Sequence, residues 1–175
     1  MRKVHHNIRP MIALIVLLLG IGAAQGCGAG APTQEELKTQ AAAALDSLVA
    51  ELAAERPIDV AAYTERLQAY LEAHPAFYGS AAALLDETGA VVASPYVYRA
   101  DDGYQTRDLA HPKYNIQEQK WITMPLAADA GIWTPPYFDA GGGDIWMITR
   151  SVPVRDAEGV FAVITTDLPV DAPGR

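Results

Sequence analysis

The chain of 175 residues has a single cysteine, Cys27, so no disulfide can form within it and its stability must come from packing. Basic residues are also scarce: 13 stand against 21 acidic residues, and the formal net charge is −8. Arg2, Lys3 and Arg9 lie in the first ten residues, so the remainder of the chain is more acidic still. Because an acidic surface repels phosphate backbones, we expect no nucleic-acid partner.

Recognisable catalytic and metal-binding patterns are absent from the sequence as well. The histidines lack the spacing of zinc ligands, and no Gly-x-Ser-x-Gly nucleophile motif occurs. The glycines at 141–143 lack the Lys-Ser/Thr pair that completes a phosphate-binding loop. We therefore predict no catalytic residues, no cofactor and no metal, and we expect that the protein is not an enzyme. Half of the residues are hydrophobic, which is enough for one packed core and excludes a disordered chain.

The first 26 residues have the layout of a secretory signal: a basic start, an apolar run over Met11–Gly22, and small residues after it. The segment Ala24-Gln25-Gly26-Cys27 resembles the end of a bacterial lipoprotein leader. That resemblance implies a signal peptide over 1–26, a lipidated Cys27, a tether over 27–32 and a place outside the cytoplasm. Gly28 favours the outer membrane. The alternatives are an ordinary signal with a coincidental cysteine and an uncleaved anchor.

Two amphipathic helices are predicted after the tether. Thr33 and Glu36 have the spacing of a capping box, and apolar residues then recur every three or four positions over Leu37–Leu52. Asp59 has the position of an N-cap for a second helix, which His74-Pro75 ends.

Short strands are predicted after the helices. Two hairpins are expected, one over 81–93 with a turn at 86–89 and one over 145–166 with a turn at 155–159. Between them lie about fifty residues rich in Tyr, Trp, Asp and Pro, and loops of that length inside a compact domain are usually functional. Helices followed by antiparallel strands indicate an α+β fold, with helices on one face of the sheet.

The segment Trp133-Thr134-Pro135-Pro136-Tyr137-Phe138-Asp139 is the strongest candidate for a binding site. Its prolines interrupt a strand, and in an extended chain Tyr137 and Asp139 point to the same face. Trp121 lies upstream, and Asp167 ends the last predicted strand. Carboxylates beside aromatic rings suit an ammonium group, through charge-assisted hydrogen bonds and cation–π contacts. The alternative is that these side chains only fill the core and cap turns.

Several motifs together resemble those of Cache domains, which are PAS-like extracytoplasmic sensor modules of chemoreceptors, histidine kinases and phosphatases. The motifs are Phe77-Tyr78-Gly79, Ser94-Pro95-Tyr96, Trp121, the segment from Trp133 to Asp139 with its following glycines, Ser151-Val152-Pro153-Val154, and Gly159 through Asp167-Leu168. The resemblance covers residues 33–170 and leaves 171–175 as a tail. It implies an α+β domain with an N-terminal helix pair packed against a five- or six-stranded antiparallel sheet.

The resemblance also implies a ligand pocket. Trp121, Tyr137, Asp139 and Asp167 match pocket positions of family members that bind amino acids or amines, and Tyr114 matches a tyrosine upstream of the tryptophan. The two aspartates would take the ammonium of the ligand, and Tyr137 would contribute its hydroxyl and its ring. The full set of candidate ligand-binding residues is Trp121, Tyr137, Asp139, Asp167, Tyr114, Lys120 and Trp133.

Two departures from the family pattern concern the group that would hold a ligand carboxylate. Amino-acid-binding members have an arginine where this chain has Gln119, and a tyrosine where it has Ile122. Two interpretations stay open. Either Lys120, Arg99 or Arg107 holds the carboxylate, or the ligand is an amine without one.

We expect a lipid-anchored domain that binds a small amine or amino acid, or a short carboxylate, for sensing or for presentation to a membrane receptor or transporter. Only seven residues follow Leu168, without a second hydrophobic run, so we expect transmission of a signal to need such a partner. The alternative is a Cache-like docking protein without a ligand, which regulates a membrane receptor or transporter through the Leu37–Leu52 stripe.

Overall fold

The computed structural model describes residues 31–57 and 59–174, and the predicted leader and Cys27 lie outside this range. The helices are α1 (Gln34–Glu55), α2 (Val60–Ala73) and α3 (Lys120–Ala128), with a short 3-10 helix (Ile116–Glu118) before α3. The strands are β1 (Gly79–Leu85), β2 (Val91–Ala93), β3 (Pro95–Ala100), β4 (Gly103–Asp108), β5 (Ile132–Trp133), β6 (Tyr137–Phe138), β7 (Trp146–Arg155) and β8 (Val160–Pro169). The fold class is α+β, as predicted. None of the helices in these residues combines the length and the hydrophobicity needed to cross a bilayer.

Local capping signals set the ends of the first two helices. The Thr33 hydroxyl accepts the Glu36 N–H at 3.3 Å, and the Glu36 carboxylate accepts the Thr33 N–H at 2.7 Å, so the predicted capping box is present. Helix α1 ends where Arg56 adopts a left-handed conformation with a φ of 44°. Asp59 caps α2 by accepting the Ala62 N–H at 2.8 Å.

The strands form one antiparallel sheet in the order β4-β3-β1-β8-β7-β5. This path has six strands, and two short strands lie off it, with β2 paired to β1 and β6 paired to β7. Both predicted hairpins are present, as β1–β2 and β7–β8. A third hairpin, β3–β4, is not among the predicted ones. The alternation Tyr96-Val97-Tyr98 and the turn Asp101-Asp102-Gly103 are the sequence signals for it.

The helix pair covers one face of the sheet and forms the main core with it. Strand residues alternate between the two faces, so Ala162, Ile164 and Leu168 of β8 pack toward the helices. The buried residues of the α1 stripe are Ala41, Leu45, Leu48 and Leu52, each at most 5% exposed. The sheet of the same chain therefore covers this stripe. The expectation that a partner docks on the Leu37–Leu52 stripe is therefore wrong, because the stripe packs against the sheet in the core.

The opposite face of the sheet is covered by α3 and the 3-10 helix, although the sequence predicts helices on one face alone. Trp121 and Ile122 of α3 are buried there, together with Ile116 and with Val163 of β8. Pro125 lies inside α3. Because a proline removes a backbone hydrogen bond from a helix interior, this segment lacks the usual sequence signature of a helix.

Arg99, one of the three cations considered for a ligand carboxylate, instead caps the end of α2. Its guanidinium donates to the carbonyls of Leu71 and His74, with a distance of 3.2 Å for His74. Its Nε donates to the Phe77 carbonyl at 2.7 Å. One side chain from β3 thus donates to three carbonyls, one in the last turn of α2 and two in the connection to β1.

Replacing Arg99 by Met is expected to lower the free energy of unfolding by about 2–4 kcal/mol, because three carbonyls lose a charged donor. Chemical denaturation of the variant and the wild type measures this difference. Arg155→Met is the control, since it removes an exposed ion pair with Asp129 that is worth less than about 1 kcal/mol. Equal losses in the two variants would contradict the capping role.

Candidate functional site

A small closed cavity lies on the α3 side of the sheet. Its volume is about 10 Å³, which leaves room for no more than one water molecule. Five of the seven predicted ligand-binding residues line it: Trp121, Tyr137, Asp139, Asp167 and Tyr114. The other lining residues are Ala81, Tyr96, Leu109 and Thr165. The lining therefore contains two carboxylates and four aromatic rings, and it contains no lysine or arginine.

Asp139 follows β6 and begins a glycine-rich loop. The Tyr114 hydroxyl donates to its Oδ1 at 2.6 Å, and the Gly143 N–H donates to its Oδ2 at 2.8 Å. A Cβ atom at Gly142 would lie 2.7 Å from Asp139 Cγ, so the close approach of the loop to the carboxylate requires glycine. Burial raises the pKa of Asp139, and the two hydrogen bonds oppose that rise.

Asp167 lies near the end of β8 on the cavity side. The Thr149 hydroxyl of β7 donates to Asp167 Oδ1 at 2.7 Å. Because that hydrogen is used, the Tyr137 hydroxyl, 2.8 Å from Thr149 Oγ1, must be the donor in the bond between them. Burial raises the pKa of Asp167 to about 7, and the nearby Asp139 carboxylate contributes to the rise. The two carboxylates are thus within electrostatic reach of each other.

Trp121 and Tyr114 form one hydrogen-bonded wall of the cavity. The Trp121 indole N–H donates to the Tyr114 hydroxyl at 3.0 Å, and that hydroxyl donates onward to Asp139. Burial raises the pKa of Tyr114, so the phenol stays neutral and keeps its proton for this bond. Gln119 donates its side-chain amide to the Tyr114 carbonyl at 2.9 Å, which fixes the backbone of the wall.

Lys120 and Trp133 are the two predicted residues that do not line the cavity. Lys120 is exposed at the first residue of α3. Trp133 packs on the helix-pair face of the sheet, where Lys38 Nζ lies 5.8 Å from its ring centre. The prolines at 135–136 separate β5 from β6, so Trp133 and Tyr137 belong to different strands and do not share a face.

Tyr96 is a cavity residue that the sequence did not single out for binding. Its side chain is 1% exposed, and its hydroxyl has no hydrogen-bond partner among the described residues. Its ring stacks on Tyr98 with 5.2 Å between centres. Thr165, also in the lining, accepts the Ala81 N–H at 2.9 Å and retains a hydroxyl hydrogen that it can donate. The Tyr96 hydroxyl also lowers the pKa of Asp167, so it lies near that carboxylate without making a hydrogen bond of ordinary geometry to it.

The chemistry of the cavity suits a bound ammonium group. Two buried carboxylates carry a desolvation cost, which an ammonium would offset with positive charge and N–H donors. The aromatic rings would add cation–π attraction. Within residues 31–57 and 59–174, no group of three His, Cys, Asp or Glu side chains is placed to hold a metal ion.

A helix pair on one face of an antiparallel sheet, with an enclosed polar cavity on the other, is the architecture of a PAS-like sensor domain. The family model of the methyl-accepting chemotaxis protein-like, first PDC sensor domain matches residues 63–172. The chain belongs to this family of Cache/PDC sensor domains. The resemblance that the sequence motifs indicate is thereby confirmed. No curated protein sequence matches the chain.

Solved structures of extracellular sensor domains share the fold. The extracellular domain of soHK1S-Z6, described as a histidine kinase, is 28% identical with a TM-score of 0.65, and the match covers 77% of this chain and 54% of that one. The ligand-binding domain of the Campylobacter jejuni chemoreceptor Tlp3, in complex with L-valine, is 16% identical with a TM-score of 0.60, over 77% and 53% of the two chains. The chain thus spans about half the length of the solved domains that it matches. These relatives are sensor and ligand-binding domains, not enzymes.

Asp167→Asn is expected to change how stability depends on pH. The folded-state pKa of about 7 lies above the ordinary value of 3.8, so the folded protein holds this proton more tightly than the unfolded chain does. The resulting stability is present at low pH and is lost as the pH rises through about 7. Relative to wild type, the variant should therefore gain on the order of 2–4 kcal/mol in free energy of unfolding between pH 4 and pH 8.

Urea denaturation at several pH values, without added ligand, measures this difference. Asp101→Asn lies in the exposed β3–β4 turn and controls for the loss of one negative charge, so its difference from wild type should stay flat. A flat difference for the Asp167 variant as well would mean that this carboxyl is compensated by a cation in the folded protein.

Proposed function

We propose that the chain is an extracytoplasmic, lipid-anchored protein that binds a small ligand carrying an amine, for sensing or for presentation to a membrane partner. The observation that carries this proposal is the enclosed pair of carboxylates, Asp139 and Asp167, each 4% exposed. They share a closed cavity with four aromatic rings and with no lysine or arginine in its lining. A small amine or an amino acid supplies the missing positive charge.

The hydrogen bonds around the two carboxylates make Asp167 the main counter-ion for an ammonium. Asp139 already has one donor on each oxygen, from Tyr114 and from the Gly143 N–H. Asp167 accepts one hydrogen bond of ordinary geometry from the described residues, that of Thr149, and the nearby Tyr96 hydroxyl lowers its pKa. An ammonium has three N–H donors, so it can reach Asp167 and still donate toward a second acceptor in the lining.

The solved relatives support this class of ligand. One Tlp3 domain is in complex with L-valine and another with 4-methylisoleucine, both of them amino acids. A short carboxylate is the other class considered. The lining argues against placing it inside the cavity, because Asp139 and Asp167 would repel a third negative charge.

The cavity must open to admit such a ligand, because its volume of about 10 Å³ holds at most one water molecule. The loop that begins at Asp139 is tied to β4 by Arg107, whose Nη1 donates to the Gly142 carbonyl at 2.6 Å and to Asp144 at 3.0 Å. Ligand binding therefore requires the lining to move. A local movement of that kind is an event that a partner protein can detect.

Binding is tested with the full chain, purified in detergent, against isobutylamine, L-valine and isobutyrate. The amine or the amino acid, present at a hundred times its dissociation constant, should stabilise the protein by about 2.7 kcal/mol in a thermal-shift measurement. Asp167→Asn should weaken the affinity about 10- to 100-fold, and the double variant with Asp139→Asn by about a hundredfold or more, because charged hydrogen bonds are lost.

Trp133→Phe is the matched control, since it changes an aromatic side chain on the opposite face of the sheet and should keep the wild-type affinity. Stabilisation by isobutyrate alone would move the ligand to the carboxylate class. A flat response to all three compounds and to a wider panel of amines would overturn the proposal.

The leader supports the proposed location. Residues 1–26 would be removed as a lipoprotein signal, 27–32 would form a tether lipidated at Cys27, 33–170 the sensor domain and 171–175 a tail. Gly28 favours the outer membrane, and the tether would hold the domain near a membrane receptor or transporter. The relatives with solved structures are extracellular domains, which is consistent with that side of the membrane.

Cys27→Ser is expected to release the protein from the membrane fraction of bacteria that express it, because a lipoprotein anchor depends on the acyl chains on this sulfur. Fractionation followed by immunoblotting measures the release, and mass spectrometry of the wild type should show the added acyl mass. A Cys27→Ser variant that stays in the membrane fraction would indicate an uncleaved anchor over Met11–Gly22 instead.

A further inference from the structure

A groove of about 670 Å³ lies on the surface next to the closed cavity. Residues within 107–114 line it together with Gly141. Tyr114 belongs to both linings, and Gly141 lies beside its ring, since a Cβ atom at Gly141 would be 3.8 Å from Tyr114 Cδ2. The groove and the cavity thus meet at one tyrosine side chain.

Two cations line this groove, although the protein has a net charge of −8. Arg107 and Lys113 are among the lining residues. The one carboxylate in the lining, Asp108, already accepts two backbone N–H groups on its Oδ1, at 2.9 and 3.1 Å. Because Arg107 is also paired with Asp144, Lys113 is the cation through which the groove attracts an anionic group.

Most of the cations in the described part of the chain, Arg107 of the groove among them, are neutralised by the fold itself. Six lysine and arginine side chains form ion pairs there: Lys38, Arg56, Arg66, Arg107, Arg150 and Arg155. Arg99 is engaged by carbonyl groups. Among residues 31–57 and 59–174, Lys113 and Lys120 remain without an ion pair, and Lys113 is the one that lines the groove.

Arg107 is held firmly at the mouth of the groove. Its Nη1 donates to the Gly142 carbonyl at 2.6 Å, to the Gly141 carbonyl at 3.2 Å and to Asp144 at 3.0 Å. Its guanidinium carbon lies 5.2 Å from the centre of the Tyr98 ring. Nη1 donates all three of these hydrogen bonds, so the N–H groups on the other guanidinium nitrogens can donate to a second acceptor.

The cavity offers no partner for a ligand carboxylate. Its lining has no lysine or arginine, and Asp139 and Asp167 would repel the group. Gln119 stands at the position where amino-acid-binding members have an arginine, and its amide is used on the Tyr114 carbonyl at 2.9 Å. An amino acid whose ammonium lies in the cavity must therefore place its carboxylate outside it.

We infer that the ligand is an amino acid whose ammonium lies at Asp139 and Asp167 and whose carboxylate lies in the groove at Lys113 and Arg107. This inference rests on the proposed function and assigns the other end of the ligand. Negative charge inside and positive charge outside give a molecule with two opposite charges a single orientation. Lys113 and Arg107 thus take the place of the missing arginine as the carboxylate subsite.

The test compares matched pairs of compounds that differ only by a carboxylate. L-valine is paired with isobutylamine and 4-aminobutanoate with propylamine, which also varies the distance between the two charges. Affinities are measured by calorimetry with the full chain in detergent. In at least one pair the amino acid should bind about tenfold or more tightly than its amine, and Lys113→Gln should reduce that ratio about tenfold. Lys113 is exposed, so this variant does not disturb the core.

Lys120→Gln removes the same charge outside the groove. In this variant the ratio of the amino-acid affinity to the amine affinity should stay at its wild-type value. Arg107→Gln should lower the ratio as Lys113→Gln does. Equal affinities within both pairs would overturn the carboxylate subsite and leave the proposed amine site standing. A loss of the ratio in the Lys120 variant instead of the Lys113 variant would also overturn the assignment. Binding of neither member of either pair would overturn the proposed function and this inference together.

Discussion

Asp139 and Asp167 are buried together in a cavity whose lining contains no cation, and the surrounding structure has to offset the cost of burying them. Each loses hydration on burial, and a low local dielectric strengthens the repulsion between them. Asp139 is held by a tyrosine hydroxyl and a backbone N–H, and Asp167 by the Thr149 hydroxyl. These donors offset part of the desolvation cost. The rest of the desolvation cost is offset by the stability of the apolar core on the other face of the sheet, which the closed cavity does not interrupt.

Neighbouring residues of a strand point to opposite faces of the sheet, so one residue can line the charged cavity while the next packs into the apolar core. Along β8, Leu168 is buried in the helix-pair core, whereas Asp167 beside it lines the cavity. Thr166 faces the helices again, where its hydroxyl lies 2.6 Å from that of Tyr70. A shift of register by one residue would exchange the two environments. The pairing of β7 with β8, which keeps one register from Met147 to Val154, therefore fixes the site as much as it fixes the core.

Features that depend on a few neighbouring residues could be predicted from the sequence, and features that depend on distant strand pairing could not. The capping box at Thr33 and the turn at 86–89 act within four residues, so their signals are local. The sequence predicts Trp133 and Tyr137 in one binding site, but their partners in β7 are three residues apart and face opposite sides. The sequence does not indicate Tyr96 as a binding residue, because its hydroxyl is buried in the cavity only when distant strands enclose it. Four of the five candidates that line the cavity, Trp121, Tyr137, Asp139 and Asp167, are indicated by the residues themselves, and the family resemblance adds Tyr114 together with the long-range information that local patterns lack.

Tyr114 connects the buried cavity with the groove on the surface. Its hydroxyl donates to Asp139, and its side chain lines both the cavity and the outer groove. An ammonium that reaches Asp139 competes with this hydroxyl for the same carboxylate, so occupancy of the cavity and the position of the 107–114 segment depend on each other. Such linkage is reciprocal. A partner protein that favours the open position of the segment would raise the affinity for the ligand by the same factor by which the ligand raises the affinity for the partner.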